Sequence, residues 1–298
     1  MGVKQRGCSI RIFLVDGTPD GVKTVDKSNW TGRGIVCPRS RFTEAKNRTE
    51  FNKTGVYFLA GPPMMNDDFP TLYIGECDPL RPRLEHHYAK KDFWTQIIAF
   101  TSKDDNLNKA HVQYLESRLV ALAAEAKRSS LENGNTPTAP SLSEADIAEM
   151  DAFLDEMLLV LPVVGLNAFE SPLASMAPQN KLKLKGKSAS GTGYESESGF
   201  VVLAGSEMRP DSVESIHAYL ETLRKSLLTK QVVAKVNGSL RFTQDYTFDS
   251  PSTAAGVLLG RSANGRIEWK DDAGRTLKQL QTGDLTAKSG ESSLSPSA

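Results

Sequence analysis

Tyr57, Tyr73, Arg83, His87 and Glu116 stand in an order that suits phosphodiester hydrolysis. Breaking such a bond calls for an oriented or deprotonated water, neutralised phosphate oxygens and help for the departing oxygen. Each residue type answers one of these needs. Glu116 would anchor a single Mg2+ (or Mn2+), because Mg2+ keeps several waters and takes only one or two protein carboxylates. Arg83 would hold the scissile phosphate, bidentate where geometry allows. Tyr57 or His87 would orient or deprotonate the water. A basic tyrosine needs a nearby cation to pull it down from its free pKa of about 10.

The elements that must position these groups are legible around them. Thr54 to Leu59 and Thr71 to Gly75 read as β-strands, joined by a turn-rich stretch from Gly61-Pro62-Pro63 to Phe69-Pro70. A helix over 79–89 follows, with Asp78 as its cap and Pro79 at its first position. On it Leu80, Leu84 and Tyr88 face a core, while Arg83 and His87 form a second i, i+4 pair on one side. A strand over 95–101 leads to a helix over 105–127, whose apolar stripe runs through Leu107, His111, Leu115, Leu119 and Leu122. Glu116 lies one residue off that stripe. A carboxylate at an apolar border is poorly solvated, so it attracts a cation or pairs with Arg83 or Arg118.

These residues resemble the catalytic module of the GIY-YIG nuclease superfamily. Gly55-Val56-Tyr57 matches the first signature with valine for isoleucine, and Tyr73-Ile74-Gly75 matches the second intact. Arg83 falls eight residues after Gly75, and His87 four later, as in that family. The resemblance covers residues 54–118, and Asn133 or Asn135 would supply the family's closing asparagine. It implies a Mg2+-dependent DNA endonuclease in which Tyr57 is the favoured general base, Tyr73 supports the water or phosphate, and Glu116 holds the metal. Arg81, Lys90, Lys91 and Asn135 are the expected DNA contacts. The alternative is a catalytically inactive DNA-binding or protein-interaction module on the same fold.

Charge agrees with a phosphate-facing surface at one end. The 36 Lys and Arg balance 36 Asp and Glu overall. Residues 1–135 hold 20 basic and 16 acidic side chains, residues 136–180 none and 7, residues 181–298 16 and 13. Three cysteines, Cys8, Cys37 and Cys77, are too few and scattered for a disulfide framework or zinc site. The N-terminus is polar, and the apolar run from Met157 to Leu166 is interrupted by Pro162, far short of a membrane span. A cytoplasmic protein without membrane association is expected.

The predicted fold class is α+β. Residues 1–140 form a module with a small, mostly antiparallel three-stranded sheet flanked by helices, preceded by extra strands over 9–15 and 34–37 and a short helix over 39–47. Residues 141–180 supply an acidic helix, opened by Ser143 and Asp146, and a linker over 171–180. Leu158–Leu166 reads as a strand or buried connector. Residues 181–280 form a smaller α+β domain and 281–298 a disordered tail. The smaller domain begins with the alternating Lys181-Leu182-Lys183-Leu184-Lys185, a solvated strand face or a phosphate track. It continues with a strand over 199–204, helices over 212–228 and from Ser250-Pro251 to Gly260, and an Asn264-Gly265 hairpin turn. More loosely, residues 185–280 resemble an uncharacterised domain that often follows nuclease-like modules, a place for a possible protein partner.

Overall fold

The structure, a computed structural model, describes residues 7–65, 67–169, 181–214 and 216–283. The expected linker over 171–180 and residues 284–298 of the expected tail lie outside them; residues 281–283 are helical, in a segment that begins at Leu277. The chain divides into two units, Met1–Met65 with Phe69–Glu170, and Asn66–Asp68 with Ser171–Ala298. Both mix helices and sheet, so the protein is α+β. Among the described residues no helix is long and apolar enough to cross a membrane.

The first unit is built on seven strands: β1 (Ile10–Leu14), β2 (Lys23–Lys27), β3 (Gly32–Pro38), β4 (Gly55–Pro63), β5 (Pro70–Cys77), β6 (Gln96–Ser102) and β7 (Ser130–Leu131). Their order is β1-β2-β3-β6-β4-β5-β7. The three expected core strands, β6-β4-β5, pair antiparallel, and β3 pairs antiparallel with β6 along its full length. The extra N-terminal strands therefore extend the same sheet. Only β7 runs parallel to its neighbour β5.

Side chains alternate across this sheet with the period of two that strand geometry imposes. Tyr57, Leu59, Ile97 and Ala99 pack on one face with Leu80 and Leu84 of α2 (Leu80–Lys90) and Phe42 of α1 (Phe42–Ala45). Val56, Phe58, Leu72, Ile74, Ile98 and Phe100 pack on the other, against α3 (Lys109–Ala126) and α4 (Glu144–Val163). Each large apolar side chain so buried contributes about 1.5–3 kcal/mol.

Several local expectations change. The segment expected as a helix over 39–47 is a 3-10 turn, Arg39–Arg41, running into the four-residue α1. Asp78 does not cap α2: Pro79 takes the cap position after a cis Asp78-Pro79 bond, and the Leu80 N–H donates to the Lys53 carbonyl at 3.1 Å instead. Ser143 does cap α4, accepting from the Asp146 N–H at 3.1 Å. Leu158–Val163 is helix, not strand, because Met150, Phe153, Leu154, Met157, Val160 and Leu161 bury one face at helical spacing. Pro162 is tolerated one residue from the helix end.

The second unit pairs β12 (Val233–Val236), β13 (Ser239–Phe242), β11 (Glu207–Met208), β9 (Ala189–Ser196), β10 (Gly199–Val202) and β14 (Tyr246–Phe248) in that order. β8 (Leu182–Gly186) lies on the other edge of β9. Its described helices include α5 (Ala218–Thr229), α6 (Pro251–Leu259) and α7 (Gly265–Glu268), besides the segment from Leu277. Ser250 caps α6, and Gly260 ends it in the left-handed region at φ 64°. Asn264-Gly265 opens α7 and makes no hairpin. Asn264 accepts from the Arg266 N–H, and a Cβ on Gly265 would lie 2.1 Å from the Pro251 carbonyl. That glycine serves close approach.

Candidate functional site

Tyr57 and Tyr73 lie two strand positions apart on the α2 face of the hairpin, because Tyr57 pairs with Gly75 and Leu59 with Tyr73. Their ring centroids are 6.2 Å apart. Tyr57 is wholly buried and Tyr73 half-buried. The Tyr57 ring crosses the backbone of its partner: a Cβ on Gly75 would lie 2.4 Å from the Tyr57 hydroxyl. The last residue of Tyr73-Ile74-Gly75 is thus glycine for room, not for turn geometry.

From α2, His87 and Arg83 converge on these rings. His87 is 2% exposed, its Nε2 lies 2.8 Å from the Tyr57 hydroxyl, and its ring centroid is 4.9 Å from that of Tyr73. Exposed Arg83 donates from Nη2 to the Tyr73 hydroxyl at 3.4 Å. One helical turn separates a buried imidazole from an exposed guanidinium, although both project from the same side of α2. The Lys91 ammonium stands 4.8 Å from the Tyr73 ring centroid, adding a second cation to the group. Arg39 fixes the end of α2, donating to the Tyr88 and Lys91 carbonyls at 2.9 and 2.7 Å and lying over the Trp94 ring at 4.2 Å.

Burial, then the charges of Arg83, Lys91 and His86, push His87 down to about 4, so its imidazole is neutral near pH 7. Its Nδ1 is buried without a hydrogen-bond partner. A bare lone pair there costs less than an unpaired N–H, which favours the tautomer that donates from Nε2 to the Tyr57 oxygen. Burial, then Tyr73, push Tyr57 above the ordinary tyrosine range despite Arg83. The expected depression of Tyr57 by a nearby cation is therefore reversed: desolvation outweighs the guanidinium. Hydrogen bonds to Tyr73 and Tyr57 hold Arg83 more firmly charged than usual.

Glu116 belongs to α3, the helix packed on the opposite face of the sheet. It makes no direct bond to either tyrosine. Burial, then the charge of Glu76, lift it to about 7, while Lys109 and Arg83 pull it back. Arg83 is the residue common to both faces, bonded to Tyr73 and close enough to act on Glu116. Neither ion pair weighed from the sequence forms: Arg118 bonds Asp151 at 2.7 Å, and Arg83 bonds Tyr73. Glu116 is left half-buried with no side-chain partner among the described residues.

That donor set fits a hard cation with a large share of water ligands. No group of three or more His, Cys, Asp or Glu side chains placed to hold a metal occurs among the described residues. One carboxylate short of a counter-charge matches the modest protein ligation of Mg2+ or Mn2+. A pH signature follows. A carboxyl raised from 4.5 to about 7 gives folding stability that is full below about 4.5 and lost as pH rises through about 7. His87, lowered from 6.5, works in the other direction, losing stability as pH falls towards 4. The difference between parent and Glu116→Gln isolates the glutamate. In chelator, thermal melts of the parent should fall relative to the variant between about pH 5 and 8, and Mg2+ should restore only the parent.

Three residues join the site that sequence reasoning had left open or missed. Asn133, rather than Asn135, engages the hairpin: Oδ1 accepts from the Ile74 N–H at 3.0 Å and Nδ2 donates to the Ile74 carbonyl at 2.7 Å. It continues by side chain the pairing that β7 begins at Leu72. Asn135 is exposed in the following loop. Glu76, next after Gly75, takes both oxygens to the Lys109 ammonium at 2.7 Å, near the start of α3. Of the expected DNA contacts, Lys90 is exposed at the end of α2 and Lys91 sits over Tyr73. Arg81 is turned about 200° round the helix from Arg83 and bonds Glu85 at 3.2 Å. A concavity of about 490 Å³, lined by Thr49, Lys53, Asp78, Ser102 and Asp105 among others, includes none of the five proposed site residues. Of the two tyrosines only Tyr73 is partly exposed; Tyr57 is wholly buried.

Residues 182–281 match the family described as a domain of unknown function, DUF4357. The match takes in the second unit's sheet and helices, about a third of the chain, and leaves residues 54–135 without a family match. No curated protein and no solved structure matches the chain significantly.

Proposed function

We propose that the first unit is a Mg2+-dependent DNA endonuclease of the GIY-YIG type. The observation that carries this reading is the meeting of Tyr57, Tyr73, Arg83 and His87 within single hydrogen-bond and ring-contact distances, though 30 residues separate the first from the last. The guanidinium bonds the Tyr73 hydroxyl and the ammonium lies over its ring, and a phosphate would use both cations at once.

Arg83 and Lys91 bind the strand's phosphates, and Lys90 extends the same positive end of α2. His87, neutral and donating to Tyr57, fixes the phenol so that its own O–H points to the attacking water or to a phosphate oxygen. Tyr57 is uncharged at rest, so it orients the water and takes up a proton only as alkaline pH supplies phenolate. Glu116 would hold Mg2+, which when bound supplies positive charge for the phosphate and departing oxygen and lowers the pKa of coordinated water. Asn133 keeps Tyr73 in register by holding the backbone of Ile74.

The test is relaxation of supercoiled plasmid by the full chain, with Mg2+ and with EDTA. Nicked circles forming only with Mg2+ are expected. Retained DNA binding with no nicking in either Mg2+ or Mn2+ would favour the inactive binding module. A rate that climbs with pH and loses that climb in Tyr57→Phe is the further expected result. A variant with an unaltered profile would remove Tyr57 from the chemistry.

A further inference from the structure

Leu182 and Leu184 of β8 point into the second unit's core while Lys183 and Lys185 point out. The register places Lys185 opposite Ser190 and Lys183 opposite Thr192 on β9. On the other side of β8, Lys183 bridges Lys270, exchanging backbone hydrogen bonds of 2.6 and 2.9 Å. Directly opposed residues of an antiparallel pair share a face, so the side chains of Lys183 and Lys270 leave the sheet on the same side. Like charges so placed are destabilising. Asp272 compensates Lys183 alone, at 2.6 Å; Lys185 and Lys270 form no ion pair among the described residues. Glu207, next in the row beyond Ser190, is already neutralised by Arg241 at 2.6 Å.

Lys183 and Lys185 line a concavity of about 300 Å³ together with Ser190, Thr192 and Ser206; the Ser206 hydroxyl is held by the Thr192 backbone, which leaves Ser190 and Thr192 to offer theirs. It contains no carboxylate and no aromatic ring. Ammonium groups and hydroxyls recognise anionic oxygens, and without a ring on which a base could stack, a backbone phosphate is the matching group.

We propose that this open face, with Lys183, Lys185 and Lys270 as its cations, contacts the phosphate backbone of duplex DNA. The choice of DNA as the source of phosphate rests on the nuclease reading of the first unit; the anion site itself does not.

The test uses the full chain in EDTA and a fluorescent duplex of about 20 base pairs, with anisotropy read across a salt series. Lys185→Gln with Lys270→Gln should weaken binding about tenfold near 0.1 M salt and reduce the log–log salt slope by about two. Lys185→Arg with Lys270→Arg should keep the parent slope. Neither pair should melt below the parent, since both lysines are exposed and the glutamine pair relieves the like-charge opposition of Lys183 and Lys270. An unchanged slope in the glutamine pair would overturn the proposal, as would loss of binding to polyglutamate without loss of binding to DNA. Plasmid nicking separates the two readings. A slope change in a chain that never nicks leaves this site standing and removes the nuclease. Mg2+-dependent nicking with an unchanged slope removes this site alone.

Discussion

Glu116→Gln should lower Mg2+-dependent plasmid cleavage by about 10³-fold or more and leave duplex binding in EDTA within about twofold of the parent. The exchange keeps size and hydrogen-bonding shape and removes only the charge that would face the cation. Its neighbours on α3, Leu115 and Ser117, are buried, so a smaller residue would open space and confuse a lost ligand with lost packing. The loss corresponds to about 4 kcal/mol of barrier, the scale of a cation's charge stabilisation in a phosphoryl transition state. Binding survives because the proposed phosphate contacts come from Arg83, Lys90 and Lys91 of α2 and its end, none of which the exchange removes. The variant should also be the more stable protein above about pH 7 in chelator, because it no longer desolvates a charge beside Glu76. Cleavage at the parent rate would remove Glu116 from the metal site. Cleavage and binding lost together would mean that the glutamate holds the fold or the DNA.

Elements were legible where one residue class or one strong period dominates a segment. Thr54–Leu59 reads as strand from its β-branched and aromatic run ended by Gly61-Pro62-Pro63, and β4 is buried on both faces; the Leu80, Leu84 spacing declared α2 by its one buried face. The α+β class followed from those runs. What stayed hidden depends on which face of a sheet an element lands on. Glu116 and Tyr57 were expected in one cleft, yet α3 and α2 cover opposite faces, and their connection runs through the reach of Arg83. No local pattern in α3 carries that information.

Asn133 and Asn135 are equivalent as letters. Only the short parallel strand β7, pairing Ser130 and Leu131 with Thr71 and Leu72, sets Asn133 at the Ile74 backbone. Glu76 did leave a trace: it shares strand parity with Leu72 and Ile74, and a charge on an apolar face needs a partner. Lys109 answers it. Leu158–Leu166 misled for the opposite reason, since a short run that is apolar all round has no period to separate strand from helix.

Gly75→Ala should cost about 1–3 kcal/mol of stability, read as a lower denaturant midpoint at unchanged slope, and about 10²-fold in cleavage. The added Cβ would lie 2.4 Å from the Tyr57 hydroxyl oxygen and 2.5 Å from the ring carbon that bears it. That ring has little space in which to retreat, being wholly buried against Leu59, Leu84 and Ala99 and bonded to His87 at 2.8 Å. Stability and activity fall for one cause, a displaced phenol, and this can be separated from a general weakening of the hairpin. In a Tyr57→Ala background the clash has no partner, so adding Gly75→Ala should cost much less than it does in the parent, giving a coupling energy of about 1 kcal/mol or more. Equal cost in both backgrounds would place the penalty in the strand backbone. A Gly75→Ala chain as stable and as active as the parent would mean that the Tyr57 ring does not lie across β5, and the hydrogen bond that aligns the phenol with His87 would lose its geometric basis.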